Sequence, residues 1–134
     1  MEITKIENII ATNAQKSGYT PLIVSEEGLE KGITTFPTAW IQLPLVLSVE
    51  GRDQGVITHK ITVALLDDYS AYSFEDKNSR LAEMQEDMLE IMTAISCQEG
   101  IVELNEVSVT PRLTHTTRHG DVAQICQAKI VSYF

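Results

Sequence analysis

The chain has 134 residues, 43% of them apolar and 22% charged, which is typical of one folded domain and excludes wholesale disorder. The formal net charge is -9, from 19 acidic and 10 basic residues. This balance argues against sequence-specific nucleic-acid binding, which needs clustered lysine and arginine. Because no run of 18 or more apolar residues occurs, we also expect no membrane-spanning helix and no membrane partner.

The first predicted element is an N-terminal helix within residues 1–16. Isoleucines recur at helical spacing over residues 3–16 and form one apolar face, and Gly18 ends the pattern. These isoleucines are Ile3, Ile6, Ile9 and Ile10. The helix is therefore expected to be amphipathic.

Residues 17–35 are expected to form an irregular arm or long loop. Pro21-Leu22-Ile23-Val24 is a short apolar run typical of extended chain. Charged residues mixed with Gly28 and Gly32 then indicate an exposed turn. The main sheet is accordingly predicted to lie within residues 36–134.

Two strand-like runs follow, Ala39–Val49 and Val56–Leu66, with Gly51–Gly55 as a hairpin connection between them. Pro44 interrupts the first run. Since proline cannot donate a ladder hydrogen bond, it predicts a bulge or a sheet edge. The second run alternates cleanly, so one of its faces is expected to be buried. That face carries Ile57, His59, Ile61, Val63 and Leu65.

A long helix is predicted over residues 74–96. Its apolar residues recur three and four apart, which makes one stripe facing a core, and Gly100 is expected to end it. The stripe consists of Leu81, Met84, Met88, Ile91 and Ile95.

Two further strands are predicted, Ile101–Leu113 and Val122–Phe134, joined by a polar loop at residues 114–120. The first is expected to carry Val107, Val109 and Leu113 on one face. The second is expected to carry Val122, Cys126, Ala128 and Ile130 on one face, and Ile125, Val131 and Tyr133 on the other. The economical fold is one α+β domain over residues 1–134. It has an antiparallel sheet of about four strands with two helices packed on one face, plus the N-terminal arm.

Metal-ligand chemistry is weakly indicated. His115, His119 and Asp121 are the only cluster of suitable residue types, but the two histidines would share a face only on a helix. Here they lie among threonines in a predicted turn, and spacing fixes no third ligand. A solvated loop is the favoured interpretation, with a metal-dependent enzyme as the weaker alternative.

Other reactive side chains have ordinary explanations. His59 is typical of a core or interface histidine with one hydrogen bond, and Asp67-Asp68 is typical of an acidic turn. Cys97 and Cys126 lack C-x-x-C spacing and are interpreted as buried free thiols. The sequence therefore predicts no enzyme, no metal and no cofactor, and it favours synthesis in the cytoplasm because the N-terminus lacks signal-peptide layout.

Five segments together have a recognisable layout. They are Phe36-Pro37-Thr38-Ala39-Trp40, the Gly51–Gly55 loop, His59-Lys60-Ile61-Thr62-Val63-Ala64-Leu65-Leu66-Asp67, the helix from Leu81-Ala82-Glu83-Met84, and the closing Val131-Ser132-Tyr133-Phe134. From about Thr35 to Phe134, the chain resembles the head–tail joining and tail-terminator proteins of tailed bacteriophages. The resemblance implies a small α+β protein without a cofactor that forms rings, often of six or twelve subunits, at the virion neck. Such rings cap the tail tube or join it to the portal, and DNA passes through them.

The expected function is therefore structural, in the virion neck or tail after synthesis in the bacterial host cytoplasm. The expected partners are other copies of the chain and neighbouring neck, portal or tail-tube proteins. Contacts are predicted in loops, because loops on a rigid sheet usually carry contact surfaces. The candidates are Gly51, Arg52, Asp53, Gln54, Gly55, His115, Arg118, His119 and Gly120, with the Glu26–Thr35 segment as a further one. The alternative is a small cellular module that binds a peptide by edge-strand addition.

Overall fold

The computed structural model of the chain describes residues 1–43, 46–48, 55–68, 74–112 and 121–133. Within these ranges, three helices accompany a mixed β-sheet. The elements in chain order are α1 (Ile3–Lys16), β1 (Thr20–Ser25), a 3-10 turn (Glu26–Gly28), α2 (Leu29–Gly32), β2 (Thr38–Leu43), β3 (Val46–Ser48), β4 (Val56–Asp68), α3 (Phe74–Ser96), β5 (Ile101–Arg112) and β6 (Asp121–Tyr133). The helices predicted over residues 3–16 and 74–96 are therefore confirmed as α1 and α3.

The sheet has the strand order β1-β2-β4-β6-β5, and β3 also pairs with β4. The six described strands occupy five positions across the sheet. β2 and β3 share one position, because both pair with the same side of β4 and β6 pairs with its other side. β1 runs parallel to β2, and the other described pairs are antiparallel. The α+β class is confirmed, but the prediction of an antiparallel sheet of about four strands is wrong.

The additional strand comes from the segment that was predicted to form an irregular arm. Residues 17–35 contain β1, the 3-10 turn and α2. Twelve residues, 26–37, separate β1 from β2, and a crossover of about a dozen residues is what a parallel pair needs. The arm is therefore a sheet edge followed by a crossover.

The first strand of the predicted hairpin is divided as Pro44 suggested. Ile41 of β2 pairs with Val63 of β4, so an uninterrupted strand would place residue 44 opposite Lys60. Val46 of β3 has that position instead. Two extra residues therefore lie between the two paired stretches, and residues 44–45 themselves fall outside the described ranges.

The main core lies between the sheet and both long helices. Its helix residues include the whole predicted stripe of α3, together with Ile6, Ile10 and Ala14 of α1. Its strand residues include Ala39, Ile41, Ile61, Val63, Leu65, Val122, Cys126, Ala128 and Ile130. We call this side of the sheet the helix face. The prediction of two helices on one face is confirmed.

A smaller apolar cluster covers part of the opposite side, which we call the open face. It joins the crossover segment to outward residues of β2, β4 and β6: Leu29, Ile33, Trp40, Ala64, Leu66 and Ala123. Trp40 fixes this arrangement, because its indole Nε1 donates a hydrogen bond to the Val24 carbonyl at 3.0 Å. The crossover therefore shields one half of the open face.

The strand β5 departs from its predicted alternation. Its register against β6 shifts between Ile101 and Glu103 and again between Asn105 and Ser108. Val109 packs against the main core, whereas Val107, predicted to share its face, is 41% exposed. Leu113, the third residue of that prediction, lies outside the described ranges.

Candidate interaction surfaces

The predicted contact residues fall mostly outside the described residues. Gly51, Arg52, Asp53, Gln54, His115, Arg118, His119 and Gly120 all lie there. Gly55 is described: it is partly buried, has φ of +72° and directly precedes β4. A positive φ of this size suits glycine at a strand junction.

The two predicted contact loops join the sheet at opposite ends. Residues 51–55 lead into Val56, which pairs with Tyr133. Residues 113–120 connect Arg112 to Asp121, and Asp121 pairs with Asp68 at the far end of β4. At about 3.3 Å per residue, the thirteen residues of β4 separate these attachment points by roughly 40 Å. The two loops are therefore anchored at different ends of the subunit.

The strand β5 forms one edge of the sheet. Among the described strands it pairs with β6 alone, and Val102 and Val107 are 42% and 41% exposed. Two bulges and Pro111 interrupt its regularity, devices that limit indiscriminate edge pairing. Such an edge favours a partner of matching shape.

The helix α3 extends the apolar character of this side. Asp87 faces Tyr19, which lies between α1 and β1: the Tyr19 hydroxyl donates a hydrogen bond of 2.6 Å to Asp87 Oδ2. Two residues further along a helix, a side chain is turned by about 200°. Leu89, 50% exposed, therefore lies on the flank away from α1, above the β5 side of the sheet.

Within the described residues, the part of the open face that the crossover does not shield contains a polar groove of about 520 Å³. Amide and hydroxyl side chains line it, and Lys60 and Lys129 lie directly opposite each other across β4 and β6. Glu106 binds Lys129, with 2.9 Å between Oε2 and Nζ. The hydrogen bond and charge of Lys129, with a smaller contribution from Lys60, hold the pKa of Glu106 below its usual value.

A polar network ties the far end of the sheet to the helices. Arg80 Nε lies 2.7 Å from Asp67 Oδ2, and its guanidinium carbon lies 5.9 Å from the centre of the Tyr19 ring. Burial and the hydrogen bond to Asp87 raise the pKa of Tyr19 above its usual range. Burial would lower the pKa of Arg80, but Asp67 and Tyr19 outweigh it and raise that pKa. The network has an architectural role that the interpretation of Asp67 as turn chemistry missed.

Two polar side chains are buried near the other end of the helix face. His59 is 1% exposed and Ser132 is fully buried. Within the described residues, neither His59 Nδ1 nor Ser132 Oγ has a hydrogen-bond partner. Burial lowers the pKa of His59, and the positive N-terminus lowers it further. The prediction of a core histidine is confirmed.

The two cysteines differ, although both are free. Cys126 is buried in the main core, and burial raises the pKa of its thiol to about 11, so it is chemically inert. Cys97 is exposed just beyond α3, so the prediction of burial is wrong for this residue. It follows the end of the helix, where the apolar stripe has stopped.

The described residues contain no group of three or more side chains suited to hold a metal ion. Asp121, the described member of the predicted cluster, is fully buried. None of the helices in the described ranges combines the length and apolarity needed to span a bilayer.

Comparison of the sequence with known protein families and with curated proteins gives no match.

Proposed function

We propose that this chain is a structural virion protein of a tailed bacteriophage that assembles into a closed ring at the neck or tail end. As a tail terminator or head–tail connector, the ring joins the tail to the head, and DNA passes through it. Its partners are further copies of itself, in rings of six or twelve, and neighbouring neck, portal or tail-tube proteins. The resemblance of residues 35–134 and the α+β fold with helices on one face support this proposal.

The observation that carries the proposal is the edge strand β5. It presents the outer backbone groups of twelve residues, together with the exposed Val102 and Val107. No second strand pairs with it in the part of the chain that the structure describes, and an edge of this length needs a partner or protection. A head-to-tail ring covers every such edge at once, provided that the rotation between subunits closes.

The opposite anchoring of the two loops supports contacts on both sides of a ring. One loop leaves the sheet at Val56 and the other at Arg112, and these positions belong to different sheet ends. A subunit standing in a ring could therefore direct one loop toward each stacked neighbour. The net charge of -9 also suits a passage for DNA, because an acidic surface offers phosphates no counterion release.

The test is imaging of the assembled particle at residue resolution, with crosslinking of β5. In the purified chain, native mass spectrometry of a Val102→Lys/Val107→Lys variant should show a loss of rings, because lysines on an edge oppose strand pairing. Thr4→Lys/Thr12→Lys, on exposed positions of α1, adds the same charge and should leave rings intact. A lone subunit in the particle, with β5 and both loops in solvent, would contradict the proposal.

The same edge also suits the alternative, a cellular module that takes up a peptide as an added strand. Such a module would be monomeric or dimeric, and β5 would be covered by a chain of different sequence. Crosslinks from β5 therefore separate the two functions: identical chains on both sides favour the ring, and a foreign extended peptide favours the module.

A further inference from the structure

Two buried polar side chains of the helix face lie side by side in the sheet. They are His59 of β4 and Ser132 of β6. Strand alternation puts them on the helix face, since Ile61 and Ile130, two residues away, belong to the main core. Among the described residues, His59 Nδ1 and Ser132 Oγ have no hydrogen-bond partner. Because a desolvated polar atom without a partner opposes folding, these two atoms indicate a site for a small hydrogen-bonding ligand.

The strand register brings the two side chains within reach of each other. His59 pairs with Ile130, and Ile57 pairs with Ser132, so His59 and Ser132 are diagonal neighbours on one face. Residues in such positions lie about 7–8 Å apart, with their Cβ atoms somewhat closer. The imidazole and the hydroxyl can therefore reach one shared space, although they are not bonded to each other. One water molecule can bridge such a gap with two hydrogen bonds of about 2.8 Å each.

The site suits a small, uncharged ligand. Burial and the positive N-terminus lower the pKa of His59, so its ring is neutral near pH 7 and does not attract an anion. A metal ion has too few ligands here, since the described residues contain no suitable group of three or more side chains. A neutral imidazole nitrogen either accepts or donates one hydrogen bond, and a hydroxyl does both. Water matches either tautomer because it also does both.

Several chain segments meet at this site. Ser132 pairs with residues of both β4 and β5. The next residue, Tyr133, donates its backbone N–H to the Gly100 carbonyl at 3.1 Å and accepts a hydrogen bond from the amino group of Met1. Tyr133 also pairs with Val56, where the predicted contact loop at residues 51–55 joins β4. A ligand bound here therefore lies at the end of the sheet that carries this loop.

We propose that His59 and Ser132 bind one buried water molecule, which bridges His59 Nδ1 to Ser132 Oγ and ties β4 to β6. Buried waters make about two to four hydrogen bonds to groups that have no other partner, and these two atoms supply the minimum. The bridge adds a polar contact to an otherwise apolar layer and stabilises the sheet end next to the loop. The inference concerns a single subunit, so it does not depend on the proposed ring.

A crystal structure of the wild-type chain tests the bridge directly. We expect density for one water within about 2.5–3.2 Å of both His59 Nδ1 and Ser132 Oγ. A direct hydrogen bond between the two side chains, with no water between them, would overturn the inference. A structure in which another protein group serves both atoms would overturn it as well.

Paired substitutions test whether the two side chains act through one ligand. Ser132→Ala and His59→Leu should each lower the melting temperature and lose the water, because each leaves the other polar atom without its bridge. The double variant should lose less than the sum of the two single losses, since no polar atom then remains unpartnered. Ser132→Ala alone tests the loss of the water if His59→Leu does not fold.

Cys126→Ala is the matched control, because Cys126 is buried on the same strand and the same face. It should melt earlier through lost packing, but its crystal structure should keep the water. Melting-temperature losses that simply add in the double variant, or a water that stays bound in both single variants, would contradict the bridge.

Discussion

The two faces of the sheet differ in how they are covered and in how polar they are. The helix face is closed by α1 and α3 over a continuous apolar core, whereas the open face is shielded over one half and polar over the other. The polar half contains Lys60 and Lys129, two like charges on opposite positions of neighbouring strands. The first face therefore holds the fold together, and the second has surface that folding leaves available for contacts.

The largest loss of stability should come from truncating a buried side chain on the helix face. Met88 is fully buried in the main core, so Met88→Ala should lower the free energy of unfolding by roughly 2–5 kcal/mol. Glu86→Ala, on the exposed side of the same helix, should change it by about 0.5 kcal/mol or less. Urea unfolding of both variants measures the contrast. Similar losses would mean that the helix face is not the main source of stability.

Periodicity explains why this face could be predicted from the sequence. Spacings of three and four residues place Leu81, Met88 and Ile95 on one side of α3, and alternation places Ile61 and Val63 on one side of β4. These rules depend only on neighbours along the chain. They gave both long helices and the buried side of β4 without knowledge of the topology.

The open face was harder to predict because it depends on register and crossover. A four-residue apolar run such as 21–24 does not reveal that it becomes a parallel edge strand. The bulge at Glu106 shifts which residues of β5 point outward, and no local pattern signals it. The Lys60–Lys129 pair and the Arg80–Asp67 contact follow from strand pairing and helix placement, so sequence spacing could not bring them together.

The second largest effect should be a dependence of stability on pH, which arises from His59 on the helix face. Burial and the positive N-terminus lower the pKa of His59 in the folded protein. In the unfolded chain a histidine has a pKa of about 6.5. The neutral form therefore contributes stability above the unfolded pKa, and this contribution is lost as pH falls through the folded pKa. The melting temperature should drop as the pH is lowered from about 7 toward 5.

His59→Leu provides the control, since it keeps a side chain of moderate size but removes the titration. Its melting temperature should depend less on pH over the same interval. Glu106 titrates at lower pH, because its pKa is held below the usual glutamate value, which is about 4.3. An equal slope for wild type and His59→Leu would show that His59 is readily protonated in the folded state.

The smallest change in stability should come from the open face, where the sign of the interaction energy between two lysines is the informative result. If the Lys60–Lys129 pair opposes folding, their interaction energy in a double-mutant cycle should be unfavourable by about 0.2–1 kcal/mol. The cycle compares Lys60→Gln, Lys129→Gln and the double variant by urea unfolding. It isolates the repulsion from the separate attraction of each lysine to Glu106. The coupling should shrink toward zero at about 1 M salt, because exposed charges are then screened within a few ångströms.

A favourable coupling would mean that the two lysines are held together by the fold itself, for example through shared contacts with Glu106. In that case the open face would resemble the helix face in contributing to stability.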